Sequence, residues 1–184
     1  MARNLSIGID SWIIQDGNYG DFALGDTTKF ALEFAGKELV PSSICERSSH
    51  FLHTSVYRVR AKVAFVHPTV WVIDFGALAF WEAEPPSFAK IGGWVEGDIF
   101  VGIDPFFYKE YLHKLPGIPN LYYKWKVEGV LREDTPWLSV VNGRGGVTLS
   151  RDAAHERWTE VQRTQAWDDD DGRSSYVLRC DGEA

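Results

Sequence analysis

The chain has 184 residues, a formal net charge of −7 at pH 7 and a hydrophobic fraction of 45%. This apolar content excludes a disordered chain, because it is sufficient to build a core. The acidic balance excludes a surface devoted throughout to phosphate, since non-specific affinity for nucleic acid comes mainly from Lys and Arg. A local basic patch is still compatible with this charge.

The sequence also bears on location and redox state. Asp10 interrupts an N-terminal apolar run that is too short for a signal peptide, and no segment approaches the length of a membrane span. Cys45 and Cys180 match no metal-ligand or redox spacing, so we interpret them as reduced thiols, with one long-range disulfide as the alternative. We therefore expect a cytoplasmic protein with no membrane partner.

The first elements in chain order are predicted to be two paired strands. Residues 5–14 form the first strand, and the turn formers between 15 and 21 reverse the chain. In residues 28–34 every second side chain is large and apolar, which predicts an antiparallel partner strand. Residues 36–54 show little periodicity and are predicted to be a long connection.

The strongest periodicity in the chain begins at Val56. Residues 56–65 alternate in the period of a β-strand, with Tyr57, Val59, Ala61, Val63 and Phe65 on one face and Arg58, Arg60 and Lys62 on the other. The pattern predicts a half-buried strand with a basic outer stripe. Residues 70–81 are apolar almost throughout, which predicts one strand covered on both faces.

Residues 94–103 alternate in the same way. Their predicted inner face carries Val95, Ile99, Val101 and Ile103, and the outer face carries Trp94, Glu96, Asp98 and Phe100. Antiparallel pairing with the strand at 56–65 places Glu96 and Asp98 opposite the basic stripe.

The remaining elements are one helix and several short strands. Asp104 and Pro105 are typical of a helix start, and the helix is expected to end near Lys114. Strands are predicted at 121–131 and 137–141, followed by a second short helix from Ser150 to Trp158. The last predicted elements, 159–166 and 174–180, form a hairpin around the aspartates at 168–171. The tripeptide Gly-Ile-Asp occurs at Gly8 and again at Gly102, which we attribute to chance.

The element order predicts a mainly β, β-rich α+β fold. Three strands, a helix and one or two strands within residues 56–141 resemble the order and length of an oligonucleotide/oligosaccharide-binding (OB) barrel. We therefore expect an antiparallel, OB-like or other partly closed small barrel with one or two short helices. Residues 1–184 are expected to form a single domain, and it is left open whether 142–184 are a small C-terminal appendage.

Basic and aromatic side chains supply the best binding signal. Together they offer phosphate contacts and stacking surfaces of the kind that single-stranded nucleic acid uses. The candidate residues are Arg58, Arg60, Lys62, Trp71, Trp94, Phe100, Tyr122 and Lys124. The alternative is a solvated sheet face on which Glu96, Asp98 and Glu128 balance the cations while the rings are buried, because alternation predicts such charges on any half-exposed sheet.

Other candidate chemistry is weaker. Cys45, His50 and His53 are metal-ligand types, but their spacing matches no common zinc site. The glycine-rich segment 142–146 lacks a phosphate-loop pattern, and the consecutive aspartates at 168–171 are interpreted as a solvated hairpin tip. Asp74 with Glu82 or Glu84 could form an acid–base pair, although nothing distinguishes these acids from others. We predict no metal and no cofactor, and the absence of a catalytic motif favours a non-enzyme.

Three hypotheses for function follow. The first is an adaptor-like or immunity-like protein that binds an unidentified protein partner through an acidic, aromatic-rich surface. The second is an OB-like barrel that binds single-stranded nucleic acid or an oligosaccharide. The third is an enzyme whose pocket carries no sequence motif. The oligomeric state is not predicted.

Overall fold

The computed structural model describes residues 3–36, 38–141, 143 and 146–183. Fourteen strands are assigned in these residues: β1 (Arg3–Asp10), β2 (Thr27–Phe30), β3 (Leu32–Ala35), β4 (Val40–Pro41), β5 (Ser48–His53), β6 (Val56–His67), β7 (Val70–Asp74), β8 (Leu78–Trp81), β9 (Trp94–Ile103), β10 (Tyr123–Glu133), β11 (Trp137–Val141), β12 (Val147–Arg151), β13 (Trp158–Val161) and β14 (Ser175–Glu183). The α-helices are α1 (Ser11–Gln15) and α2 (Phe107–Glu110), with 3₁₀ turns at Leu112–Lys114, Ala153–His155 and Asp169–Gly172. No helix within the described ranges has the length and apolarity needed to cross a bilayer.

Five strands close into a barrel, which confirms the predicted β-rich, partly closed barrel. β6 pairs with β7 and β9, β7 pairs with β8, and β9 pairs with β3, all antiparallel. A parallel contact between β3 and β8 closes the ring. The barrel is filled by the inward residues of these strands, which on β6 and β9 are Tyr57, Val59, Ala61, Val63, Val95, Ile99, Val101 and Ile103.

A second group of strands extends from the barrel at β9. Gly8 of β1 lies beside Gly102 of β9 in a parallel contact, and β1 pairs antiparallel with β14 along its whole length. β14 then pairs with β10, whose other edge carries β2 and β13. Glycine is needed at the crossing, because a Cβ on Gly8 would lie 2.6 Å from the Phe100 ring.

A smaller apolar core lies outside the barrel. Residues of β7 and β8 that point outward, Val72 and Phe80 among them, pack against Tyr108, Leu112 and Leu121. Phe65 belongs to this outer core rather than to the inner face predicted for it. The register between β6 and β7 shifts between Val63 and Phe65, so a β-bulge turns Phe65 to the other side.

The predicted N-terminal strand pair is wrong. β1 ends at Asp10, where α1 begins, and its antiparallel partner is β14. The predicted strand 28–34 divides at Ala31 into β2, which joins β10, and β3, which joins the barrel. Periodicity identifies a strand but carries no information on its partner.

Two central predictions also need correction. Residues 70–81 form two strands instead of one, because the chain turns at Gly76, whose φ is +113° and whose N–H donates to the Asp74 carboxylate. The sequence pattern does not indicate this turn, because the residues before and after it are almost all apolar. The connection predicted at 36–54 contains β4 and β5, which pair with β9 and β6.

In the C-terminal third the predicted helix after Ser150 is wrong, since Ser150 lies in β12. The hairpin of 159–166 with 174–180 is also wrong, because β13 and β14 occupy opposite edges of β10. The helix predicted at 104–114 is shorter, but its cap is as expected: the Asp104 carboxylate accepts hydrogen bonds from the N–H groups of Phe107 and Tyr108.

The path of the chain beside β9 depends on Gly97. Its φ is +151°, and a Cβ there would lie 2.9 Å from the Glu38 carbonyl oxygen. We expect Gly97→Ala to lower the free energy of unfolding by about 3 kcal/mol, measured by urea denaturation. Gly92→Ala is the control, because Gly92 has a φ of +85° but open space around it. It should cost only about 1 kcal/mol, and equal losses would contradict the steric explanation.

Candidate functional site

The basic stripe lies on the outer face of β6, as predicted, and its acidic partners are those expected. Arg58 lies opposite Asp98 and Arg60 opposite Glu96 in the β6–β9 register. Arg58 donates to both Asp98 oxygens at 2.8 and 3.0 Å, and Arg60 contacts Glu96 at 3.2 Å. The Arg58 guanidinium lowers the pKa of Asp98, and the Ser42 hydroxyl together with Arg60 lowers the pKa of Glu96. The cations closest to the centre of this face are therefore balanced by carboxylates.

Five of the eight candidate binding residues lie on this face: Arg58, Arg60, Lys62, Trp94 and Phe100. Lys62 lies opposite Trp94 on β9 and opposite Asp74 on β7. Phe100 is 39% exposed and its ring lies over the Gly8–Gly102 crossing.

The other three candidates lie elsewhere. Trp71 is 0% exposed inside the barrel, where its ring packs edge-on against Phe34 at 5.1 Å. Tyr122 packs edge-on against Tyr108 in the outer core. Lys124 is exposed on β10, outside the barrel. The candidates therefore do not form one continuous basic and aromatic surface.

The remaining candidates from the sequence are the possible metal ligands, the two cysteines and the glycine-rich segment 142–146. No group of three His, Cys, Asp or Glu side chains in the part of the chain that the structure describes is arranged to hold a metal ion. Both cysteines are free, with Cys45 exposed and Cys180 buried. Most of the glycine-rich segment 142–146 lies outside the described residues.

The two Gly-Ile-Asp segments lie side by side, an arrangement that the sequence analysis attributed to chance repetition. Because Gly8 pairs with Gly102 in parallel, Asp10 and Asp104 come at the same end of adjacent strands, and each precedes a helix. Glu33 of β3 pairs with Gly102 from the other side. Three carboxylates are thus gathered at one strand end, and the repeated tripeptide was the only sequence signal of it.

The pKa values of two of these carboxyl groups, Glu33 and Asp104, are raised. Burial, followed by repulsion from Asp104, Asp10 and Glu82, raises the pKa of Glu33 to about 7. Burial raises the pKa of Asp104 to about 6, against the opposing effect of the N–H groups that it caps. The proposed partners Asp74 and Glu82 are not paired with each other: Asp74 binds Arg47 at 2.8 Å, and Glu82 accepts from the Tyr111 hydroxyl. Burial therefore raises the pKa of Glu33 and of Asp104, whereas Asp74 and Glu82 are each bound to a different side chain.

A second prominent surface is the pair β11 and β12, here called the arm. The two strands form their own two-stranded sheet, separate from the main one. Its exposed apolar residues lie on both faces and comprise Leu138, Val140, Val141, Val147 and Leu149. Val141 is 69% and Val147 is 65% exposed. The sequence analysis predicted β11 as a strand but assigned no role to it.

The base of the arm is held by a network around Arg151. The Arg151 guanidinium donates to Asp170 and to the Thr135 carbonyl, each at 2.7 Å, and stacks on the Trp137 ring at 3.8 Å. Trp137 Nε1 also donates to Asp170. The prediction of a solvated tip at 168–171 is therefore wrong in part, because Asp170 is held by this network and Asp169 is buried.

Asp169 is fixed by two donors, Arg132 and the Tyr176 hydroxyl, each at 2.8 Å. Burial and the contact with Asp169 raise the pKa of Tyr176 to about 12. The next two residues, Asp170 and Asp171, adopt left-handed backbone conformations with φ of 50° and 54°. This backbone, which Asp tolerates better than most residues, directs Asp170 towards the arm.

Comparison of the chain with protein-family models, with curated protein sequences and with solved structures gives no match.

The raised pKa of Glu33 predicts a pH-dependent stability. Because its pKa rises from 4.5 to about 7 on folding, the folded state is disfavoured as the pH increases through this range. The contribution is up to about 3 kcal/mol; it is fully present below about pH 4.5 and is lost as the pH rises through 7. Glu33→Gln should be more stable than the wild type at pH 8 and show a flatter profile in urea denaturation. Glu84→Gln, which removes an exposed charge, controls for net charge, and an unchanged profile in Glu33→Gln would contradict the assignment.

The Arg151 network predicts local rigidity of the arm. Lys in place of Arg151 cannot bind Asp170 and Thr135 together or stack as a plane on Trp137. We expect Arg151→Lys to accelerate hydrogen exchange of the β11 and β12 amides by about tenfold, while exchange in β9 is unchanged. Arg163→Lys, which alters an exposed pair with Asp21, is the control. Equal exchange in the arm of both variants would show that the network does not hold it.

Proposed function

We propose that the chain is a non-enzymatic protein-binding module that inserts its arm into an apolar cleft of a basic partner protein. The observation that carries this proposal is the exposure of apolar side chains on both faces of β11 and β12. The proposal keeps the protein partner inferred from the sequence, and it assigns the contact to the arm instead of to the acidic, aromatic-rich surface that the sequence predicted.

The energetics of the arm support a binding role. A two-stranded hairpin is only marginally stable in water, and this one buries neither face against the main body. Apolar side chains displayed in this way usually mark an interaction surface. The outer edges of β11 and β12 also have no strand partner among the described residues, so their backbone groups are available as well.

The exposure of apolar side chains on both faces of the arm predicts the shape of the partner's binding surface. Val140 and Val141 are adjacent in β11 and therefore point to opposite faces, and both are exposed. A flat partner surface would cover one of them. A cleft that receives the arm covers both, and so accounts for the whole apolar pattern.

The net charge of the chain predicts which charges surround the cleft of the partner protein. The arm strands carry no acidic residue, whereas the chain has a net charge of −7. Exposed acids lie near the base of the arm, including Asp168 and Asp171, whose side chain is 92% exposed. A second copy of the chain would bring like charges together. A partner with basic residues around its cleft is attracted instead.

OB-like ligand binding on the barrel is the second candidate. The five strands β3, β6, β7, β8 and β9 match the strand number of an OB barrel. However, β3 precedes the other four, and α2 follows β9 instead of lying between the third and fourth strands. The outer face of β7 and β8 is covered by the outer core, and Arg58 and Arg60 are paired with acids. These features disfavour single-stranded nucleic acid as the ligand.

The proposal is tested by photo-crosslinking followed by measured binding. A photoreactive phenylalanine analogue placed at Ser139 captures the partner in cells that express the chain, and the purified partner is then titrated. Val140→Thr combined with Val141→Thr changes one residue on each face and keeps the β-branched shape. We expect the Kd to rise at least about tenfold and binding to weaken with salt.

The matched control is Ile91→Thr combined with Val40→Thr, two exposed apolar residues outside the arm. It should bind the partner with unchanged affinity. Crosslinks only to a second copy of the chain, no crosslink at all, or a partner that binds the arm variant as tightly as the wild type would each overturn the proposal.

A further inference from the structure

We infer that a cleft at one end of the barrel, distinct from the arm, binds a short neutral oligosaccharide. The cleft has a volume of about 800 Å³, within the range of small-molecule sites. It lies between the start of β1, the segment that leads into β5, the middle of β6, the turn between β7 and β8, and the first residue of β9. Its polar and aromatic lining comprises Asn4, Glu46, Arg47, Lys62, Asp74 and Trp94.

The charge of the lining points to an uncharged ligand. Two cations, Arg47 and Lys62, face two carboxylates, Glu46 and Asp74, so the charges cancel. Arg47 is already bound to Asp74 at 2.8 Å. An anion attracted by Lys62 would also meet Glu46, and a cation would meet Lys62. A neutral ligand with many hydroxyl groups encounters no such penalty.

The hydrogen-bonding groups match hydroxyls in particular. Neither Lys62 nor Glu46 forms an ion pair with any residue that the structure describes, so one offers donors and the other acceptors. Asn4, Ser48 and Ser49 in the same lining both donate and accept. A sugar hydroxyl also both donates and accepts, and can therefore pair with every group in this set.

Trp94 supplies an apolar platform. Its side chain is half-buried at the start of β9 and lines the cleft. The negative face of an indole attracts the slightly positive C–H groups on the flat side of a sugar ring. Trp94, Lys62 and Asp74 are in register across three neighbouring strands. Because strands lie about 4.8 Å apart, this row spans about 10 Å, which suits more than one sugar ring.

The test begins with an array of defined neutral oligosaccharides, followed by calorimetric titration of the best binder. Maltotriose, cellotriose and chitotriose are included in solution whatever the array gives, with AMP and 2-naphthoate as anionic comparisons. We expect a saccharide to saturate with a Kd of about 1 mM or lower. Trp94→Leu should raise this Kd at least about tenfold, and Lys62→Met should raise it several-fold.

Two control variants show whether a change in Kd is specific to the cleft or follows from the loss of any exposed tryptophan or lysine. Trp167→Leu removes an exposed tryptophan that is 68% accessible and outside the cleft. Lys90→Met removes an exposed lysine, also outside the lining. Both should leave the Kd unchanged. Thermal unfolding of each variant checks that the fold is retained.

The rate of alkylation of Cys45 shows whether the ligand binds in the cleft. This cysteine lies in the cleft lining and is exposed, whereas Cys180 is buried, so iodoacetamide reacts selectively with Cys45. Saturating saccharide should slow this reaction several-fold in the wild type and not in Trp94→Leu. Absence of saturable saccharide binding, binding that leaves the Cys45 reaction unchanged, or binding of the anions in preference to saccharides would overturn the inference. The arm variants should bind the saccharide normally, so the two proposals fail independently.

Discussion

The pairing of β9 along both of its edges is the constraint on which the other elements depend. One edge hydrogen-bonds β6 and then β1, and the other hydrogen-bonds β4 and then β3. Because β3 and β6 are also connected through β7 and β8, this strand closes the barrel. Because β1 joins it at Gly102, the same strand attaches the second group of strands. A side chain at this crossing would collide with the Phe100 ring, so the junction depends on two glycines that meet in register.

The arm and the cleft differ in how the fold creates them. The arm is a hairpin without a core of its own, held at its base by the contacts of Arg151 and Trp137 with Asp170, and its apolar side chains are exposed. The cleft is lined in part by barrel strands, with Lys62 on β6, Asp74 on β7 and Trp94 on β9, so this part of its wall is positioned by the barrel core. Asn4 at the cleft lies near the start of β1, and Asp10, which pairs with Ser175 near the arm, ends this strand. Six strand steps of about 3.3 Å separate the two residues by about 20 Å, so both surfaces can be occupied at once.

Local patterns in the sequence predicted local structure well. The alternation in β6 and β9 predicted their faces up to the bulge before Phe65, and it placed Glu96 and Asp98 opposite the basic stripe, because a charge stripe on one strand requires compensation on the next. The same reasoning failed wherever the partner lay far away in sequence. Nothing in residues 5–14 indicates β14, and the continuous apolar run at 70–81 conceals the turn at Gly76. The candidate surfaces were missed for the same reason. The arm is recognised only when β12 is seen to pair with β11 alone, and the cleft gathers residues from five separate segments.

The pairing of β1 with β14 also bears on how the protein is made. All five barrel strands have been synthesised once the chain reaches Ile103, so the barrel can fold while translation continues. β1, although made before the barrel strands, pairs with a strand about 170 residues downstream, in which Leu5 meets Cys180. A contact this distant in sequence forms slowly, because closing a long loop costs conformational entropy before the contact contributes any stability. During that interval one complete strand edge of the nascent chain is unprotected, and chaperones have their clearest opportunity to bind there.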